Sequence, residues 1–339
     1  MPYDIVTIGS ATVDYFADTD SELIRIDTRH SSESLLAFPL GEKVLIKEFN
    51  TTTGGGGTNS ATAFARLGHK TAWLGKLGAD FLGDYILESL KAEEISFIGT
   101  REGQSGISFV LNSIRDDRTI LTYKGSNNFL QQDDIPAFET RWLYLSSMIG
   151  QSWETLVEFL DKHNFQLAFN PSSYQAAMGY EQLRVVTDKA ALLIMNREEA
   201  CMFLGIDPKR VSDMTELTCA LAKVPKQIVA ITDGANGVWV CAGETLLSAL
   251  PLPDLHILET TGAGDAFSAT FTACRMRSMN LADCLHYAMT NAESVLQHKG
   301  AKEKLLRWEE LQAAAEQHPR EIHTHARCPG TWLPGGNLQ

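Results

Sequence analysis

Short apolar runs recur along this chain, each followed by a stretch that reads as helical. Ile5–Ile8, Thr71–Leu74, Trp142–Leu145, Gln166–Phe169, Leu192–Met195 and Ile228–Ile231 read as strands. The amphipathic stretches Ser60–Leu67, Asp80–Glu93, Trp153–Lys162 and Met214–Ala222 read as helices between them. Strands alternating with helices predict a mostly parallel sheet covered on both faces, a three-layer α/β/α core. Two regions break this rhythm. Residues 21–50 alternate apolar and polar side chains (Leu23-Ile24-Arg25-Ile26, then Val44-Leu45-Ile46-Lys47) with no helical segment. Residues 105–124 read as a hairpin, Ile107–Ile114 and Thr119–Tyr123 around the charged turn Arg115-Asp116-Asp117-Arg118. These strands do not fit between the layers of a parallel sheet. They form either a small separate β-sheet able to cover a cleft or an edge extension of the main sheet.

Charge narrows the partners. Against 29 basic residues stand 42 acidic ones, a net charge of −13, which repels nucleic acid and anionic membrane surfaces. A nucleotide would need local donors or a metal ion to overcome that field. The 339 residues allow one large α/β domain or two ordinary ones, and a 44% hydrophobic content is ample for a core. The six cysteines show neither CxxC nor zinc-like spacing, and five fall in expected core segments, which predicts reduced thiols. No leader-like or bilayer-length apolar run is present, so the expected location is cytoplasmic. From Pro319 the composition shifts toward Pro, Gly and His. The His323-x-His325-x-x-Cys328 pattern there is either a metal-binding element or an irregularly packed tail.

Candidate chemistry lies in two small-residue clusters. Thr260-Thr261-Gly262-Ala263-Gly264-Asp265 precedes Phe267, Phe271 and Cys274, which recur at helical spacing. Glycines at a helix mouth let backbone N–H groups approach an anion, and the helix dipole adds positive potential. Asp265 would then stand beside a bound phosphate, ready to take the proton of an attacking hydroxyl. The plainer reading is a tight turn whose Asp stabilises the first helical turn. Gly54-Gly55-Gly56-Gly57-Thr58-Asn59 leads into a second helix, offering backbone donors and an amide to a polar ligand, or simply a flexible loop. No Gly-x-x-x-x-Gly-Lys-Ser/Thr loop occurs, which excludes a P-loop enzyme.

Together these motifs resemble the ribokinase-like (PfkB) carbohydrate kinases over residues 3–312. In order come Gly54 through Asn59 with Ala65–Gly68; Gly75, Gly78, Asp80 and Gly83; Asn196 and Glu199; Thr232, Gly234 and Gly237; Thr260–Asp265; and Gly300-Ala301. The resemblance implies an α/β/α catalytic domain over residues 1–318, with β-sheet lid segments at about 15–52 and 103–125, and an irregular tail over 319–339. It implies an ATP-dependent kinase acting on a hydroxymethyl group. In it Asp265 is the general base, kept ionised by the helix N-terminus, and the N–H groups of Gly262, Ala263 and Gly264 form an anion hole. Asn196 and Glu199 resemble the residues that hold Mg²⁺, largely through water. Thr232, Gly234, Gly237, Asn291 and Gly300 fall at nucleotide-binding positions. Asp14, ending the first strand's Gly-Ser-x-x-x-Asp run, resembles the carboxylate that grips sugar hydroxyls, or caps a turn. Gly55, Gly56 and Asn59 complete the acceptor side.

Three departures bear on the acceptor. Glu259 replaces the usual Asp near a monovalent-cation site, which puts K⁺ activation in question. Gly56 stands where ribokinases carry Lys, and Met148 falls near a position where they carry an acidic sugar ligand. The acceptor is a sugar or, as the alternative, a nucleoside whose base would stack on Phe38, Phe49, Phe109 or Tyr123. A homodimer through the lid is compatible with the same segments. A rival of another class is a non-catalytic nucleotide- or sugar-binding regulator.

Overall fold

Ile5, Val6 and Ile8 are wholly buried in the strand Tyr3–Ile8, whose alternating side chains point into two different cores. The computed structural model describes residues 2–19, 22–27, 32–112, 118–224 and 228–325. Ten strands form its main sheet. In spatial order they are His323–Thr324, Thr245–Ala249, Val238–Ala242, Ile228–Thr232, Ala190–Asn196, Gln166–Phe169, Thr140–Leu145, Tyr3–Ile8, Thr71–Leu74 and Ser96–Phe97. Pairing is parallel from Ser96–Phe97 through to Ile228–Thr232, and antiparallel beyond it. On one face Val6, Ile8, Leu143, Leu145 and Phe169 join Trp153, Leu156 and Phe203. On the other, Ile5, Tyr144, Ala168, Leu192 and Ala230 pack against Phe64, Phe267 and Phe271. The three-layer core follows from that alternation.

A four-stranded sheet stands apart from it: Arg118–Tyr123, Gly106–Asn112, Thr12–Thr19 and Ile46–Gly54. A further hairpin pairs Glu22–Asp27 with Ser32–Ala37. The small extra sheet is therefore real, but its entry differs from expectation. The first strand stops at Ile8, and Gly9-Ser10-Ala11 carries the chain into a new strand at Thr12, so Asp14 lies inside the second sheet, which begins ahead of the expected residue 15. Gly9 permits that passage, because a Cβ there would sit 2.7 Å from Gly57 N and from the Ser146 side chain. Val44 and Leu45 lie outside any strand, with Leu45 84% exposed. The expected turn at Arg115–Asp117 lies outside the described residues.

Strand register sorts the second sheet into two faces. Asp14 pairs with Ser108 and Thr52, while Tyr15 pairs with Phe109 and Thr51. The Asp14 face looks toward the main body, where Asp18 and Glu48 meet Lys299 at 3.3 and 2.7 Å. The opposite face carries Phe49, Tyr15 and Phe109 in one stacked ladder, with centroids 5.8 and 5.3 Å apart. Asp80 ties this sheet to the core: it caps the helix Phe81–Ala92 through Gly83 N and accepts from Ser105 N and Ser105 Oγ. The Gly75–Gly83 motif is thus structural.

Three smaller outcomes complete the fold. Cys201, Cys241, Cys274 and Cys284 are free and buried. The tail begins with an ordered edge strand, and its His325 ring bonds Ser248 Oγ at 2.7 Å. Cys328 lies outside the described residues. Among those residues no helix is long and apolar enough to cross a membrane, and no cluster of three or more His, Cys, Asp or Glu could hold a metal ion.

Candidate active site

The parallel strands end on one side of the sheet, and a polar cleft of about 300 Å³ opens there. Ser10, Ser146, Asn170, Asn196 and Thr232 line it, each at or just past the carboxyl end of a strand. Glu199, Gly56, Gly262, Gly264 and Asp265 complete its wall. Beside it lies a second cleft of about 490 Å³, mainly apolar, walled by Leu252, Leu255, Ile257, Phe267, Met289 and Leu296. Thr232 and Gly264 belong to both clefts, so the two join at the mouth of the helix Ala263–Met276.

Local geometry at that mouth is set by glycine and by Glu259. Gly262 caps the helix at φ 85°, and a Cβ on it would lie 2.5 to 2.7 Å from Ala301, including its backbone. Gly264 lines both clefts and has nothing within 4 Å of its would-be Cβ. Glu259 is 7% exposed and turns Oε1 into its own loop, accepting from Thr260 N, Thr261 N and Thr261 Oγ1 at 3.1, 3.1 and 2.7 Å. That oxygen shapes the turn before Gly262.

Asp265 receives a hydrogen bond from Asn59 Nδ2 at 2.8 Å. Burial raises its pKa above the ordinary carboxylate range, and the Asn59 bond and the Lys302 charge pull it back down. The result is a stronger base than an exposed Asp, which suits proton transfer from an alcohol. The other Asn59 amide atom, Oδ1, is buried with no partner. The glycine cluster is not a loop: the helix Gly56–Arg66 already includes Gly56 and Gly57. A Cβ on Gly56 would meet Ser146 Oγ at 2.1 Å, so that position admits no side chain without displacing Ser146.

We expect Asn59→Leu to lower kcat about tenfold or more, through loss of a charge-assisted hydrogen bond of roughly 1.5–3 kcal/mol. The acidic limb of the rate profile should move to higher pH, because a bond that lowers the Asp265 pKa is gone. An unshifted limb in pH-dependent initial rates would count against this role.

The remaining expected residues divide. Asn196 and Glu199 form a reciprocal cap, with Asn196 Oδ1 accepting from Glu199 N at 2.8 Å and Glu199 Oε2 accepting from Asn196 N at 3.0 Å. Burial raises the Glu199 pKa. Gly234 and Gly237 border the apolar cleft. Asn291 does not: its amide donates to Thr270 Oγ1 and accepts from Leu306 N, both within the body of the protein. Gly300 is likewise away from that cleft, in a separate hollow with Phe16, Asn50 and Lys299, while its neighbour Ala301 backs Gly262. Asp14 and Gly55 stand behind the polar cleft rather than in its wall. Asp14 is buried, accepts from Thr12 Oγ1 at 2.7 Å, and occupies the space beside Gly54. Burial raises its pKa.

A family model described as "pfkB family carbohydrate kinase" matches residues 4–308. The chain belongs to the pfkB family. Among its pfkB relatives, a ribokinase of Staphylococcus aureus is 24% identical over 321 residues, covering 92% of this chain and 99% of that protein. A cytidine kinase of Thermococcus kodakarensis is 24% identical, covering 80% and 95%. The crystal structure of a ribokinase from Cryptococcus neoformans in complex with ADP matches with TM-score 0.73 and 19% identity, covering 94% and 100%. As a pfkB kinase the chain is a phosphotransferase with an alcohol acceptor. Among the cleft residues that escaped the sequence reading are Ser10, Ser146, Asn170 and Ser172. Each follows an expected strand within three residues, and that position was the available signal.

Proposed function

We propose that this pfkB kinase transfers the γ-phosphoryl group of ATP to the hydroxymethyl group of a sugar. The observation that carries the reading is the junction of an apolar and a polar cleft at Thr232 and Gly264, with Asp265 on the polar side. Adenine suits the apolar walls of Leu252, Ile257 and Leu296, and the phosphates would run past Thr232, Gly234 and Gly237 toward the helix mouth. The amides of Gly262, Ala263 and Gly264 would meet charge on the migrating phosphoryl group. Asp265 would take the acceptor's proton, oriented by Asn59, whose buried Oδ1 is suited to accept from a substrate hydroxyl.

Mg²⁺ fits the donor set, because Asn196, Glu199 and Thr232 bring amide, carboxylate and hydroxyl oxygens and no sulfur or imidazole. With Glu199 Oε2 already accepting from Asn196 N and Asn196 Oδ1 from Glu199 N, these residues would hold the ion through water; when bound it neutralises phosphate charge. For K⁺ the support is weaker, since Glu259 spends Oε1 on its own loop.

A sugar is favoured over a nucleoside by the acceptor side itself. Its wall is serine, asparagine and glycine, whereas Phe49, Phe109 and Tyr123 stand on the face of the second sheet opposite Asp14. Those three are 54%, 41% and 51% exposed, which supports a homodimer through that face instead; sedimentation showing only monomers would remove this part. ATP consumption measured against D-ribose, D-fructose, adenosine and cytidine tests the whole reading. Turnover with a sugar supports it, turnover only with nucleosides transfers the assignment to a nucleoside kinase, and binding without turnover favours a regulator.

A further inference from the structure

Lys302 is the charged group nearest the heart of the acceptor side that the proposed chemistry does not use. It follows Ala301, which packs against Gly262, and its chain runs from there beneath the second sheet. Nζ donates to Thr53 Oγ1 at 3.1 Å and to Thr58 Oγ1 at 3.0 Å. The Thr58 hydroxyl gives its own proton to Gly54 O at 2.7 Å, so it can only accept from Lys302. Thr53 shares a hydrogen bond with Ser89. One ammonium therefore joins the last strand of the second sheet, the first turn of the helix Gly56–Arg66 and the turn behind Gly262.

No carboxylate among the described residues lies within 4 Å of Lys302, unlike Lys299, which has two. Two neutral hydroxyls are weak compensation for removing an ammonium from water. What offsets the cost is Coulombic, from Asp14 on the strand Thr12–Thr19 and Asp265 on the helix Ala263–Met276: Asp14 fills the space beside Gly54, the residue after Thr53, and Asp265 accepts from Asn59, the residue after Thr58. Glu93 adds to them and Arg66 opposes them. Lys124 also faces Asp14, and Glu199 feels Asp265. Burial still dominates and brings the Lys302 pKa down to about 8.

We propose that Lys302 is a positioning residue for phosphoryl transfer: its ammonium, clamped by Thr53 and Thr58, supplies the positive charge that holds the Asp14 and Asp265 carboxylates in their working state. The role rests on the kinase reading above, with Asp265 as base. A lysine holding a strand to a helix for stability alone would need no carboxylate opposite; this one has two across a gap that no direct ion pair closes. Its charge acts on Asp265 in the same direction as the Asn59 hydrogen bond, and from a different element.

The test is a ¹³C NMR titration of aspartate-labelled protein, with D265N and D14N spectra assigning the two signals. It needs no acceptor, so it stands even if every sugar and nucleoside fails. In K302M the Asp265 midpoint should rise by about one pH unit or more, the usual effect of losing a nearby opposite charge. K302R should restore it. With whichever panel acceptor turns over, the acidic limb of kcat/KM should move with that midpoint in K302M, while affinity for ADP stays within about twofold. An unmoved Asp265 midpoint in K302M, with thermal stability lowered alike in K302M and K302R, overturns the proposal. Should K302M not fold, K302Q is read by the same two criteria. Wild-type protein that turns over nothing in the panel defeats the kinase reading and leaves the titration to judge Lys302.

Discussion

Replacing Asp265 by Asn is expected to lower kcat by roughly 10²–10⁴-fold, the range that a positioned general base supplies. Asn keeps the volume and can still meet the Asn59 side chain, so the helix mouth should stand unchanged. Affinity for ATP should hold or improve, since a carboxylate beside the phosphates has been neutralised. Proton transfer in a loose phosphoryl transition state comes late, which is why a carboxylate suffices as base and why its loss is felt in kcat rather than in nucleotide binding. Steady-state kinetics paired with calorimetric titration of ADP separates the two effects. A variant with near-normal kcat would mean that another group takes the proton.

The second large effect should come from Gly262→Ala. At φ 85° a side chain is strained, at a cost of about 1–3 kcal/mol, and the new methyl would run into the backbone of Ala301. The turn must shift, and with it the amides that face the phosphoryl group. Losing one aligned donor of this kind costs roughly 10²–10³-fold in kcat. Gly264→Ala is the informative contrast, because nothing lies within 4 Å of its would-be Cβ. Its melting temperature should equal or slightly exceed wild type, as Ala favours helix over Gly by about 1 kcal/mol. The Gly262 variant should lose both stability and rate. Equal melting temperatures for the two variants would contradict this assignment of strain.

The core architecture was legible because side-chain period and burial agree. Strands such as Thr71–Leu74 and Gln166–Phe169, and the helix Met214–Ala222, have the bounds that their patterns suggest. Where two readings of a local pattern compete, sequence alone chose less well. Four consecutive glycines look like a loop, yet Gly56 and Gly57 are helical, and glycine stands there because Gly9 and Ser146 pack too close to admit side chains. The end of the first strand at Ile8 was legible, but the second sheet begins already at Thr12 and takes in Asp14. Asn291 has a residue type suited to a ligand, but its partners, Thr270 and Leu306, are fixed only by the packing of distant segments. Lys302 shows the same limit from the other side. Its ammonium reaches residues about 250 positions earlier in the chain, and no local pattern announces that.

A crystal structure with Mg²⁺ and a non-hydrolysable ATP analogue tests the central claim most directly. The base should lie against Leu252, Ile257 and Leu296, and the terminal phosphate oxygens should come within about 3.1 Å of the amides of Gly262 to Gly264, on the side facing Asp265. A terminal phosphate bound away from those amides, with Asp265 out of reach of any acceptor hydroxyl, would contradict the account.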